Sequence, residues 1–308
     1  MKNRKELLVL LCSLGMMVLV IALAELAGER EIIFPEIAAI AIGALLAPEL
    51  SWWTNKRRMF IFVMLCASVG MLIVAFVPAP LWVQLVLAYV LSQLIVAYSG
   101  TGFAPMISAI VLPVMLQTHT VVYLAAAALF TGLILILRWL LELRGIRSKR
   151  EFQPLPHPRE LSDWLFMAKK VVVLAAVTIP AILAGYPFLV APPLMVAYTE
   201  LANPGSKARK QPLKIITLLT ACALAGALSR FLIVQSWGGT LTLASLFAAI
   251  LVLIFLRLFD LFFPPAGAIA LLAMLIPEEV LISYPLQIFL GSSLLVFFAL
   301  TYFKEKRA

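Results

Sequence analysis

The chain has 308 residues, 64% of them hydrophobic and only 13% charged, with a mean hydropathy of +1.07. A water-soluble domain of this size needs far more polar surface, so the composition excludes one and points to a polytopic membrane protein. The formal charge of +9 does not signal nucleic acid, because its carriers cluster at the ends of apolar runs.

The first apolar run, 7–26, follows Lys2, Arg4 and Lys5 and ends in Ala27-Gly28-Glu29-Arg30. Its length and the further spans behind it read as a membrane helix rather than a cleaved leader. Spans are expected at about 7–27, 32–48, 58–77, 80–98, 103–117 and 120–142, then at about 169–186, 188–203, 213–234, 240–260, 264–277 and 285–303. Between the two sets, 144–168 holds Pro154, Pro156 and Pro158 among charges and reads as an exposed linker, with a short amphipathic piece around Trp164. The second and fifth segments of each set have only about 14–17 residues before a proline or charge, against about 20 for a full crossing. Such segments cross with tilt or stop partway.

All of the 24 basic residues except Arg30 and Arg230 fall at the termini, in the linker, or at ends on the same side as these. The opposite ends carry Glu29, Glu31, Glu278 and Glu279. By the positive-inside rule, both termini and the linker are cytoplasmic and each set crosses an even number of times. The three cysteines lie inside apolar runs without metal or disulfide spacing and read as packing residues.

The two sets echo each other. Cys66-Ala67-Ser68-Val69-Gly70-Met71-Leu72 returns 156 residues later as Cys222-Ala223-Leu224-Ala225-Gly226-Ala227-Leu228. The same offset maps Pro48 onto Pro204, and an offset of 160 maps Phe103-Ala104-Pro105 onto Phe263-Pro264-Pro265. The expected fold is therefore all-α, with two parallel repeats of about six short transmembrane segments: 1–143, the cytoplasmic linker 144–168, and 169–308.

The second set resembles the HPP family of integral membrane proteins. The likeness is carried by Ala202-Asn203-Pro204-Gly205-Ser206-Lys207 with Gln211-Pro212, by the small-residue stretch at Ala225-Gly226, and by Phe263-Pro264-Pro265-Ala266-Gly267-Ala268. The family has His-Pro-Pro where Phe263 stands here, so no role of that imidazole carries over. The whole is also similar, more loosely, to the six-span unit of fusaric-acid-resistance and aromatic-acid exporters. These resemblances imply a pathway for a small anion, nitrite-like or an organic acid, in the cytoplasmic membrane. Competing readings are an aromatic-acid exporter and a non-transporting scaffold or accessory subunit.

Within this frame the sharpest candidate is Pro264-Pro265-Ala266-Gly267, a proline-started helix whose free N–H groups and small residues would admit an anion. Tight packing through small residues is the competing reading. Arg257 and Asp260, one turn apart just upstream, would supply a guanidinium and its partner, and Arg230 is a basic residue inside a span. Glu36 and Glu200, in short segments, are candidates for proton coupling. Ser92 and Gln93 are hydrogen-bonding residues within the fourth span, and His119 and His157 lie in loops. Phosphate-binding loops, paired metal-ligand motifs and nucleophile elbows are absent from the sequence. The expected protein is thus not an enzyme and has no cofactor or metal. Its partners are the bilayer, a small anion and further copies of itself in a homo-oligomer.

Overall fold

The structure is a computed structural model, described over residues 2–47, 52–148 and 151–303. The elements in order are α1 (Lys2–Ala27), a 3-10 turn (Arg30–Ile32), α2 (Glu36–Ala41) continued by a π turn (Ile42–Leu46), α3 (Lys56–Phe76), α4 (Leu81–Ser99), α5 (Pro105–Leu116) and α6 (Val122–Leu143). Then come α7 (Leu161–Leu183), a 3-10 turn (Pro187–Val190), α8 (Pro192–Ala202), a 3-10 turn (Lys207–Lys210), α9 (Pro212–Arg230) continued by a π turn (Phe231–Ser236), α10 (Leu241–Leu258), α11 (Pro265–Leu272), α12 (Glu278–Leu281) and α13 (Tyr284–Tyr302).

Among the described residues no strand forms, and eight helices are long and apolar enough to cross a membrane. They leave Leu7, Leu72, Val172, Phe247, Ile254 and Phe297 exposed. Apolar surface of this kind suits hydrocarbon and not water, and the chain is a multi-pass membrane protein. Four of the five short helices show the opposite pattern. Every residue of α2 and α11 is buried, and so are nearly all residues of α5 and α8.

Two boundaries differ from the sequence expectation. The helix expected to open at 169 opens at Leu161, because Glu160 and Asp163 form a reciprocal capping box in which the Asp163 carboxylate accepts from the Glu160 N–H at 3.2 Å. The segment expected at 264–277 is the eight-residue α11, then a run of turns and the four-residue α12.

Helices of this length, 6 residues in α2 to 12 in α5, span only about 9–18 Å, well short of an apolar core of about 30 Å. Its last carbonyls are therefore left in apolar surroundings and need donors. Backbone N–H groups of the following turns supply some of them, and arginine side chains supply others at three of the four ends. Arg138 donates to the Ala44 carbonyl at 2.5 Å and Arg147 to the Leu46 carbonyl at 3.1 Å, at the end of α2. Arg209 donates to the Leu201 carbonyl at the end of α8 and, at 2.6 Å, to that of Phe303. Arg230 donates to the carbonyls of Ala273 and Ile276, at 2.9 and 2.6 Å, beyond the end of α11. At the end of α5 the donor is an amide, with Gln117 Nε2 bonding the Val114 carbonyl at 2.7 Å.

The helices gather into two compact units, and neither is a contiguous half of the chain. The first comprises Met1–Leu50, Thr120–Glu151 and Thr217–Leu286; the second comprises Ser51–His119, Phe152–Ile216 and Gln287–Ala308. In the first unit α1 packs on α10, α2 on α11 and α10 on α11. In the second unit α7 packs on α4, α8 on α5 and α4 on α5. The glycines of the two echoed words also match. A Cβ on Gly70 would lie 2.4 Å from the Ile110 carbonyl oxygen and 2.7 Å from Pro113 Cγ; one on Gly226 would lie 2.3 Å from the Ala270 oxygen and 2.9 Å from Ala273 Cβ. Both positions admit a neighbouring backbone that no side chain would allow.

Candidate functional site

The residues expected to form an anion site at the start of α11 are all in the first unit, and the structure does not gather them around an opening. Pro264 caps α11 and Pro265 occupies its first turn. The N–H groups of Ala266 and Gly267 turn back onto the carbonyls of Phe263 and Pro264, at 3.1 and 3.2 Å, so they are already engaged. Gly267 faces α2: a Cβ there would sit 2.5 Å from Ile42 Cδ1 and 3.1 Å from Ala38 Cβ. Ala266 is fully buried in the same packing.

Arg257 and Asp260 are both exposed, and among the described residues they form no ion pair with each other. Asp260 closes the turn after α10 with φ +48°. Arg230 is only 3% exposed, and its guanidinium is occupied by the two carbonyls beyond α11 and, at 3.8 Å, by Glu278. Glu36 is buried in the first turn of α2. Of these side chains, Arg230 is the one whose polar atoms are taken up by the carbonyls around it.

The second unit holds a different arrangement. A cavity of about 800 Å³ is bounded by α4, α5, α7, α8, the stretch around Trp52 and the linker at 155–160. Lys170, in the third turn of α7, lines it and places Nζ 2.5 Å from Gln93 Oε1 on α4 and 5.2 Å above the Phe166 ring. Among the described residues no carboxylate pairs with this ammonium. The Gln93 amide points its other end at α8, where Nε2 reaches Thr199 Oγ1 at 3.5 Å.

Thr199 donates to the Met195 carbonyl at 2.9 Å, so its oxygen accepts from Tyr89, whose hydroxyl is 2.8 Å away. The Tyr198 hydroxyl donates to the Lys170 carbonyl at 3.2 Å and ties α8 to α7. Lys170 donates to Gln93, and Gln93 and Tyr89 both donate to Thr199, so the four residues form one connected network. Glu200, the residue after Thr199, lines the same cavity and makes no side-chain hydrogen bond or ion pair among the described residues.

The mouth is crossed by the linker. The Leu155 N–H donates to the Gly100 carbonyl at 2.8 Å, the His157 ring stacks on Tyr98 at 6.0 Å, and Arg58 lies 4.6 Å above the Phe152 ring. Asp163 and Glu160 also line the opening, but their carboxylates are engaged in the cap of α7.

Of the residues singled out in the sequence, Gln93, Glu200 and His157 line this cavity. Lys170 was missed as a site residue, because it reads as one more charge at a span end when α7 is started at 169. The signal was Glu160-Leu161-Ser162-Asp163, a capping sequence that moves the helix start upstream and carries Lys170 inside it. Comparison of the chain with protein-family models, curated proteins and solved structures gives no match in any of the three.

Proposed function

We propose that the protein is a secondary transporter or channel for a small anion in the cytoplasmic membrane, with the cavity of the second unit as its solute site. The carrying observation is Lys170, a cation inside a membrane-helix unit that faces a cavity and is held by a neutral amide instead of a carboxylate. An uncompensated charge at such a place is unfavourable unless a ligand or water completes it, and charged groups within membrane helices mark pathways. The resemblance of the second set to HPP proteins favours the same class. So does the paired occurrence of short, arginine-ended helices, which are the kind of interrupted segment that lines transport sites.

The finer architecture belongs to this proposal. The chain is two parallel repeats whose segments are exchanged between the compact units, the first, second and sixth of one repeat joining the third to fifth of the other. The matched contacts of Gly70 and Gly226 support it. Both termini and the linker are cytoplasmic, on the charge asymmetry. Glu200 is the residue for proton coupling, since it reaches the cavity, whereas Glu36 is packed at the start of α2.

The test is flux into proteoliposomes across a panel of nitrite, monocarboxylates and aromatic acids, with and without a proton gradient. Lys170→Gln should lower the affinity for the transported anion by about 10- to 100-fold, the scale of a charge-assisted hydrogen bond of about 1.5–3 kcal/mol. Parental flux in a folded Lys170→Gln variant would move the site elsewhere. Absence of flux for every anion would favour a scaffold.

A further inference from the structure

We propose that the linker at 152–158 is a gate on the cavity of the second unit, seated on the end of α4 when closed and swinging about the cap of α7 to admit solute. This names the regulation of the site proposed above and rests on that reading for what passes through. The helical walls of the cavity are fixed by the packing of α4 on α5, α7 on α4 and α8 on α5. The linker wall is of another kind. Residues 151–159 form no helix, yet Leu155, Pro156, His157 and Pro158 line the same cavity.

The sequence makes this segment a stiff strap rather than a pliable loop. Pro154, Pro156 and Pro158 fix their own φ and hold Gln153, Leu155 and His157 extended. Phe152, Leu155 and Pro158 are half-buried while the residues between them are exposed. Every third residue therefore turns inward, the repeat of an extended proline-rich helix. The same prolines lack N–H groups, which limits what can tie the strap down.

Its attachments are correspondingly few. The Leu155 N–H donates to the Gly100 carbonyl at 2.8 Å, and among the described residues this is the one backbone hydrogen bond from 152–158 to the rim. The His157 ring stacks on Tyr98 at 6.0 Å and brings Nδ1 within 3.4 Å of the Ala97 carbonyl oxygen. Phe152 lies under the Arg58 guanidinium, which in turn donates to the Ser99 carbonyl. All of these seats lie on or beside 97–100, the end of α4. The downstream end is anchored instead, since the Arg159 and Glu160 N–H groups both donate to the Asp163 carboxylate, at 3.0 and 3.2 Å, in the cap of α7. A stiff segment fixed at one end and lightly seated at the other pivots as a body and leaves the helix packing intact.

Gly100 is what lets the strap sit so close. Its φ is +64°, and a Cβ there would lie 3.4 Å from both Arg58 Nη1 and Pro154 Cβ. That spacing is near the separation of about 3.5–4.5 Å between the Cβ atoms of a disulfide, so the closed position can be locked.

The experiment uses the full-length protein without Cys12, Cys66 and Cys222, with Gly100→Cys and Pro154→Cys as the lock and Met167→Cys on the cavity wall as reporter. Oxidation should join positions 100 and 154. The locked protein should then react with a maleimide at position 167 at least tenfold more slowly than after reduction, with labelling resolved by peptide mass spectrometry. Anion uptake into proteoliposomes should fall at least tenfold on locking and return on reduction. A second variant avoids the lock: His157→Ala, an exposed side chain outside the solute network, should raise labelling of Met167→Cys at least threefold by weakening the seat.

Equal labelling of the locked and reduced proteins, or an unchanged rate in His157→Ala, would make the strap a fixed wall and overturn the gate, while uptake in either protein would leave the transport reading standing. Failure of positions 100 and 154 to join in folded protein would overturn it too, by placing the strap away from the rim. Uptake that continues under a lock that does slow labelling would route solute outside this cavity and remove the gate's role in transport. If labelling follows the lock while no anion of the panel is carried, the gate stands and the transport reading fails.

Discussion

The two compact units share a pattern of helix contacts and differ in what fills it. In the first unit the meeting of α2 and α11 is closed: Gly267 admits Ile42 and Ala38, and the buried cation Arg230 is used up on backbone carbonyls. In the second unit the meeting of α5 and α8 borders a cavity, where Ile107 replaces a close-packed glycine at the corresponding offset and the cation Lys170 is held by a side-chain amide. The lesson concerns buried charge. A guanidinium with five donors can be retired into helix ends, whereas an ammonium on one amide has capacity left for a ligand.

The comparison is easiest to break at the glycines. Replacing Gly70 or Gly226 by leucine forces a side chain onto a neighbouring carbonyl oxygen in either unit, at 2.4 and 2.3 Å from the first added atom. Overpacking against backbone should cost about 3 kcal/mol or more in each case, read as loss of monodisperse protein after detergent extraction. Gly267→Ala should be milder, since the nearest atom is the flexible end of Ile42. A variant at Gly226 that tolerates leucine while Gly70 does not would show that the matched contacts are not equivalent.

Next in size is the contrast between the buried cations. Arg230→Met leaves the Ala273 and Ile276 carbonyls without donors and should destabilise by about 2–4 kcal/mol, seen as a lower thermal unfolding midpoint. Lys170→Met removes a charge held, among the described residues, by the neutral Gln93 amide and the Phe166 ring, so the midpoint should hold or rise while solute binding is lost. Equal destabilisation by both would make Lys170 a structural residue like Arg230.

Smaller again is Gln93→Leu, which frees Lys170 from its amide and removes the link to Thr199. It should weaken solute affinity by roughly tenfold with little effect on extraction, measured by saturation of flux. The smallest effect belongs to the first unit. There Glu25 caps α10 through the N–H groups of Leu241 and Thr242, at 2.7 and 2.9 Å, and its exposure limits Glu25→Gln to below about 1 kcal/mol.

Much of this organisation was legible in the sequence. Apolar run length located the spans, and the short segments were flagged by their prolines, because proline and span length act locally. The echoed words singled out Gly70 and Gly226, each of which faces a backbone. The assignment of function to Arg230 and Arg257 was less transferable. A sequence gives the presence of an arginine in a span but not the carbonyls that surround it, and those carbonyls come from helix ends far along the chain, as Ala273 and Ile276 do for Arg230. Gly267 illustrates the same limit: a small residue after a proline suits a ligand or a facing helix equally well, and only α2 decides between them. Lys170 was hidden by a boundary, since its meaning depends on whether α7 starts at 161 or 169.

Occupation of the second unit's cavity by solute is read out by protection of an introduced thiol. In a variant without Cys12, Cys66 and Cys222, Ala97→Cys places a sulfur on the cavity wall, and Ala268→Cys places one in the closed packing of α11. Ala97→Cys should react with a small thiol reagent, a saturating transported solute should slow this at least tenfold, and Ala268→Cys should not react with or without solute. Unchanged reactivity at position 97 under conditions of demonstrated flux, or solute-sensitive labelling at position 268, would contradict it.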